Sequence, residues 1–336
     1  FSVVWDLEYK PLPDIPFPND YALLIDNSTP TGLRMNISLI APTGVEEELR
    51  RRAQALDGFG TFAPITVRFD ALLDIQNIID RQRNNTNPGD DVALVINISP
   101  QSPGYGNIHP IDFGHGYFPT TVQDPFFYFA HDPRAGGASL VFETFDEDLN
   151  GNGVLDPGED SDGDGVLDKP NVFPADASPW DNLLTFYERE TDSLILRPMV
   201  PLREQTQYAV VLTRHLVDKA GEPIRSPFPY VSLAAQNDEL KALHELLPEG
   251  LEVKDVAFAW SFTTQSVSND LRTVRAGLYG HGSMNWLNER YPPTLSLDPV
   301  RSEPGDRNSL YHVSGEDLDH VTTLISASFG VQGSTV

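Results

Sequence analysis

Cysteine is absent from the 336 residues. Disulfides, thiolate metal centres and cysteine nucleophiles are therefore excluded. Long apolar runs are absent too: no stretch approaches the ~20 residues that a membrane-crossing helix needs. Basic charge is scarce. Lys and Arg number 23 against 49 Asp and Glu, for a formal net charge of −26, which argues against DNA, RNA and anionic membrane surfaces as partners. A nucleophile elbow of the form Gly-x-Ser-x-Gly is missing. Gly280-His-Gly-Ser-Met284 has the wrong order, and Gly333-Ser-Thr-Val336 runs out of chain. Without it, no His or Asp can be given a triad role. A phosphate-cradling glycine loop with its Lys is also missing. No catalytic constellation and no organic cofactor site can be read from the chain. It carries no signal peptide and begins at Phe1, so a processed or cropped form of an exported protein is expected.

What is present in excess is acid in one place. Ten carboxylates lie between Glu143 and Asp168, with no Lys or Arg among them. Carboxylates crowded without a cation repel one another strongly. Their spacing supplies the reason for the crowding. With Asp148 at position 1, Asn150 falls at 3, Asn152 at 5, Gly153 at 6, Asp156 at 9 and Glu159 at 12. This fills the pattern of an EF-hand calcium loop. Ca²⁺ takes six to eight oxygens, alternate residues of a tight loop turn theirs inward, and the closing Glu can give two. A second loop follows without a gap: Asp160, Asp162, Asp164, Gly165 and Asp168, with Asn171 at its twelfth position as a poorer ligand than Glu. Asp146 and Glu147 are candidate extra ligands. The expected cofactor is one or two Ca²⁺. The flanks, a strand at 139–145 and Pro170, are not helical, so this is a calcium loop between strands and not a helix–loop–helix sensor. Weak calcium loops work where calcium is millimolar, which places the protein outside the cytoplasm.

The remaining chain reads as short alternating strands with a few helices. Residues 1–20 form a proline-rich arm. Tyr21–Ile25 and Arg34–Ile40 flank a turn. Thr43-Gly-Val-Glu46 has the form of a capping box, with a helix expected over 44–57 whose apolar face is Leu49, Ala53 and Leu56. Strands are expected at 64–70, 92–98, 183–188, 193–198, 206–213 and 256–264. Helices are expected near 236–247 and near 268–278, the latter capped by Ser268. Alternation puts Ile65, Val67, Phe69, Leu94, Ile96, Leu194, Leu196, Tyr208, Val210, Leu212, Phe258, Trp260 and Phe262 in one core. The fold class is mainly β, an antiparallel sandwich with an inserted calcium-loop region and short helices. His109, His115 and His131, near Asp112, Asp124 and Asp132, are too scattered for a transition-metal site and read as loop histidines. Tyr117, Phe118 and Phe126-Phe-Tyr-Phe129 read as packing under the loop rather than a ligand-stacking patch.

Pro64-Ile-Thr-Val-Arg-Phe-Asp-Ala-Leu-Leu-Asp74, Leu194-Ile-Leu-Arg-Pro198, Pro201–Leu212, Leu216-Val-Asp-Lys-Ala-Gly-Glu-Pro223 and Trp260-Ser-Phe-Thr-Thr264 resemble, in order, the motifs of a bacterial Ig-like domain. The resemblance implies one Ig-like sandwich over 64–266, with 99–180 inserted. It leaves 1–63 as an arm, strands and helix packing on the sandwich, and 267–336 as a helix and extended segment leading towards a further domain. Pro16-Phe-Pro-Asn-Asp-Tyr-Ala-Leu23 and the helix after the Trp-Ser-Phe-Thr-Thr strand more weakly resemble the amino-terminal region of bacterial virulence-factor-type lipases. Two readings follow. In one the chain is a non-catalytic, calcium-binding module of an exported or cell-surface bacterial protein, such as a lipoprotein attached at the outer membrane. Its partner would be protein, either its own downstream domain or other subunits. In the other it is the front of a secreted lipase or esterase whose α/β-hydrolase site lies beyond residue 336.

Overall fold

The computed structural model describes residues 1–9, 13–84, 86–114, 146–160, 165, 167–175, 177, 182–189, 191–292, 294–297 and 327–330. The chain divides into two compact units, Phe1–Ser266 and Val267–Val336.

The first unit is built on short antiparallel strands with few helices. A hairpin of β1 (Leu23–Ile25) and β2 (Leu33–Met35) comes first. Helix α1 (Gly44–Ala53) follows, opened by Thr43, whose hydroxyl accepts from Glu46 N at 3.2 Å. The helix ends four residues short of its expected limit, and none of its residues is buried; Leu49 is 62% exposed. The expected inward face therefore does not exist. Capping and successive i,i+4 pairs, Glu46–Arg50, Glu47–Arg51 and Glu48–Arg52, hold it instead.

Two larger sheets carry the unit. In the first, β7 (Ser193–Pro198) pairs with β3 (Ile65–Arg68), β5 (Ile111–Asp112) and β6 (Tyr187–Glu188). In the second, the order is β4 (Ala93–Asn97), β8 (Gln207–Thr213), β9 (Val256–Thr263). Their registers place Ile65 opposite Leu196, Val95 opposite Val210, and Val210 opposite Trp260. Side chains of both sheets meet in one cluster: Ile65, Val67, Phe69, Leu194 and Leu196 with Tyr208, Val210, Leu212, Phe258, Trp260 and Phe262. Each buried side chain of this size stabilises the fold by about 2 kcal/mol.

Two of the expected core residues go elsewhere. Leu94 and Ile96 sit in a second cluster with Ala209, Val211 and Ala259, beneath Leu240 and Leu243. Those two belong to α2 (Asn237–Leu240) and α3 (Leu243–Leu246), two short helices in place of the continuous one expected. The inner residues of β4 are Ala93 and Val95. All of β4 and all of β9 are buried. The second sheet is therefore covered on both faces, and alternation alone cannot say which face is which.

The amino-terminal arm is tied to these sheets through residues 17–20. Phe17 exchanges backbone bonds with Thr66 at 2.9 and 2.7 Å, and Trp260 Nε1 donates to Pro18 O at 2.8 Å. Asp20 accepts from Thr263 N at 2.7 Å and from the Thr263 hydroxyl at 2.9 Å. Leu216–Pro223, one of the quoted motifs, is a tight turn. Asp218 Oδ1 accepts from Ala220 N and Glu222 N at 2.8 and 3.0 Å, and Gly221 takes φ +80°, a conformation that favours glycine.

In the second unit, α4 (Asn269–Leu278) precedes α5 (Trp286–Arg290), and β10 (Thr294–Leu297) pairs with β11 (Ala327–Gly330). Ser268 makes no side-chain capping bond, so that expectation fails. Among the described residues no helix is long and apolar enough to cross a membrane.

Candidate calcium loop

The acidic stretch hangs from a closed base. Glu147 N donates to Asp168 O at 3.1 Å, and Asp168 N donates to Glu147 Oε2 at 3.2 Å. Both residues are buried. This brings the two ends of the 147–168 segment together, and Glu147 is part of that closure rather than an open ligand.

Inside the base, 148–159 winds as its spacing requires. Asp148 Oδ2 accepts from Gly153 N at 2.9 Å, the first position holding the sixth. Asn150 Oδ1 accepts from Asn152 N at 3.0 Å, and Asn152 Oδ1 from Val154 N at 2.7 Å. These are successive Asx turns, the local bonds that short amide side chains make in turns. Gly151 and Gly153 both sit at φ +74°, where a side chain would be strained. Asp156 N donates to Glu159 Oε2 at 2.9 Å, drawing the last position back to the ninth. Glu159 is buried. The second loop repeats the first relation: Gly165 N donates to Asp160 Oδ2 at 3.2 Å, with Gly165 at φ +80°. Asp162 and Asp164 lie outside the described residues.

One oxygen has no role within this framework. Asp148 Oδ1 is buried and has no hydrogen-bond partner among the described residues, and its side chain is only 6% exposed. A buried, unsatisfied carboxylate oxygen costs a few kcal/mol unless something fills its lone pairs. Lys169 Nζ stands 3.7 Å from the other oxygen, Oδ2, and is itself mostly exposed. Asp156 Oδ2 is differently placed: it accepts from the amide nitrogens of Asn150 at 2.7 Å and Asn152 at 2.8 Å. Two neutral amide NH₂ groups thus occupy that oxygen at the ninth position, and a cation binding it must displace them. Consistent with that, no group of three or more His, Asp or Glu side chains converges on a point among the described residues.

Asn171 does not serve as a twelfth-position ligand. It is 2% exposed, its amide nitrogen donates to Leu184 O at 2.9 Å and Tyr187 O at 2.8 Å, and its Oδ1 accepts from Arg189 N at 3.3 Å. It staples the end of the loop region to β6. From there the bonding runs into the core, because Tyr187 OH donates to Asp192 at 2.8 Å and accepts from Leu73 N at 3.3 Å. Spacing alone could not show this: an Asn that binds a metal and an Asn that caps backbone groups look alike in sequence.

The other candidates separate. His109 Nε2 meets Val200 O at 2.8 Å, the ring packs edge-on against Tyr208, and burial lowers its pKa, so it is a structural histidine. Asp112 is buried and accepts from Gly114 N at 3.2 Å. His115, His131, Asp124, Asp132, the aromatic residues at 117–129 and the strand expected at 139–145 lie outside the described residues.

Sequence reasoning missed a polar cluster where the arm meets the second sheet. Gln207 Nε2 donates to Asp20 Oδ2 at 2.9 Å and to Glu239 Oε2 at 3.1 Å, one amide shared by two carboxylates. Burial, and then Glu239, raise the Asp20 pKa to about 6. No motif announces it, since its members are about 190 and 30 residues apart in the chain.

No family model, no curated protein and no solved structure matches this chain.

Proposed function

We propose that this chain is a calcium-stapled, non-catalytic module of an exported or cell-surface bacterial protein, with an Ig-like sandwich at its centre. Asp148, Asn150, Asn152, Asp156 and Glu159 hold one Ca²⁺. Asp160, Asp162, Asp164 and Asp168 belong to a second loop of the same design. The observation that carries the reading is Asp148 Oδ1, buried and partnerless at the first position of a loop whose turns follow the calcium pattern. A hard cation supplies the missing partner and neutralises carboxylates that no Lys or Arg within the loops balances. The sandwich reading is supported by the shared core of the two sheets and by the order of the quoted motifs along it. The role is mechanical. Calcium fixes a loop region whose base is bonded through Asn171 and Tyr187 to the core, so a loaded loop stiffens the unit that presents or supports a protein partner.

The test is a calorimetric titration of the purified chain with CaCl₂ and with MgCl₂. Saturable Ca²⁺ binding, lost in Asp148→Asn and in Glu159→Gln, is expected. Binding that survives both substitutions would place the ion elsewhere.

A further inference from the structure

A cavity of about 690 Å³ in the first unit is lined by Arg214, Arg225, Phe228, Tyr230, Ser232 and Asn237, among others. Its charge is opposite to that of the whole molecule: among the described residues two arginines and no carboxylate line it, in a chain with 49 acids and 23 bases. The nearest acids in sequence, Asp238 and Asp255, are not part of the lining, and the Asp255 carboxylate is spent on Glu252 N at 2.9 Å.

The hydrogen-bonding capacity left in the cavity is almost all donor. Arg214 Nε donates to Lys254 O at 3.0 Å, which fixes the guanidinium and leaves its two terminal nitrogens without an acceptor among the described residues. Arg225 makes no side-chain hydrogen bond or ion pair there either; only its backbone is used, N donating to Phe1 O at 3.0 Å and O accepting from Val3 N at 3.4 Å. Ser232 donates its hydroxyl to Asn237 Oδ1 at 2.9 Å, and the NH₂ of that amide has no acceptor among the described residues. Ser226 Oγ accepts from Phe228 N at 3.1 Å and keeps its own proton to give. Guanidinium forks plus neutral N–H and O–H donors, with no competing acid, suit an oxyanion.

The wall is aromatic. Phe228 is fixed edge-on against Trp5, with ring centroids 5.1 Å apart. Tyr230, by contrast, is 67% exposed and has no ring contact or hydrogen bond among the described residues. An exposed aromatic face beside two arginines that have no carboxylate partner among the described residues fits a ligand with a flat apolar part next to its charge.

We infer that this cavity is a binding site for a small aromatic oxyanion, a carboxylate or a phosphate monoester, held by Arg214 and Arg225 and resting on Tyr230. The site is independent of the calcium loop.

The experiment is calorimetric titration of the full chain with phenyl phosphate, benzoate, inorganic phosphate and phenol. Saturable one-to-one binding of phenyl phosphate or benzoate is expected, and whichever binds tighter identifies the head group. Arg214→Gln and Arg225→Gln should each weaken it about tenfold, the loss of one charge-assisted contact, with unchanged melting temperatures. Tyr230→Ala should abolish the preference for phenyl phosphate over inorganic phosphate. The inference is overturned if phenol binds as well as its charged counterparts, if neither aromatic anion binds saturably, or if binding ignores both arginine substitutions.

Discussion

Asn171→Asp separates two roles that the sequence cannot. If Asn171 were a calcium ligand, a carboxylate there would bind the ion more tightly and raise stability when calcium is present. The geometry requires the reverse. The Asn171 amide nitrogen serves Leu184 O and Tyr187 O at 2.9 and 2.8 Å, so the substitution turns two donated bonds into an oxygen facing two carbonyl oxygens. Losing two hydrogen bonds costs about 2 kcal/mol at about 1 kcal/mol each. Burying an acceptor against two acceptors at a site 2% exposed adds roughly as much again. The total is about 4 kcal/mol, a large part of the stability of an ordinary domain. Urea unfolding followed by Trp fluorescence, at 1 mM CaCl₂ and in EGTA, reads it directly. The variant should unfold at much lower urea in both buffers, with its calcium affinity no higher than wild type. A variant of wild-type stability, or one whose calcium affinity rises, would refute the role assigned to this side chain.

Two further outcomes follow from the packing. A Cβ at Gly58 would lie 2.7 Å from Gln265 N and from Thr263 O, both backbone, so Gly58→Ala should cost about 3 kcal/mol in thermal or urea unfolding; a change below ~0.5 kcal/mol would mean the end of β9 is not held against residue 58. Asp20 has a folded pKa of about 6 against an ordinary 3.8, so the folded state binds its proton more tightly than the unfolded state does. Its contribution is present below about pH 4 and is lost as pH rises towards 6. Asp20→Asn should flatten the pH dependence of unfolding in that window, and an unchanged slope would show that another group is responsible.

Local patterns were legible in the sequence where local chemistry decides the structure. The turns of 148–159 depend on Asx and Gly spacing within twelve residues, and the cap at Thr43 depends on a neighbour three residues away. Strand positions also follow from alternation, and the β7 and β8 core residues fall where alternation puts them. Where a strand is apolar on both sides the pattern is silent. Val92–Ile98 offers no polar face, so alternation puts Leu94 and Ile96 on the wrong side; only their register against Val211 and Ala209 settles the matter. The Asp20–Gln207–Glu239 cluster and the Arg214–Arg225 cavity are products of tertiary packing. No spacing rule connects Asp20 to Gln207, and two arginines eleven residues apart carry no signal until a turn folds them onto one cavity.

Calcium bound in the 148–159 loop should stabilise this unit. Thermal unfolding of wild type and Asp148→Asn, each in EGTA and in 1 mM CaCl₂, reads that stabilisation. With a dissociation constant of ~10 µM, calcium should stabilise the wild-type fold by about 2.7 kcal/mol. The melting temperature should rise measurably in wild type and not in Asp148→Asn. Superimposable wild-type curves with chelator and with calcium would contradict the account.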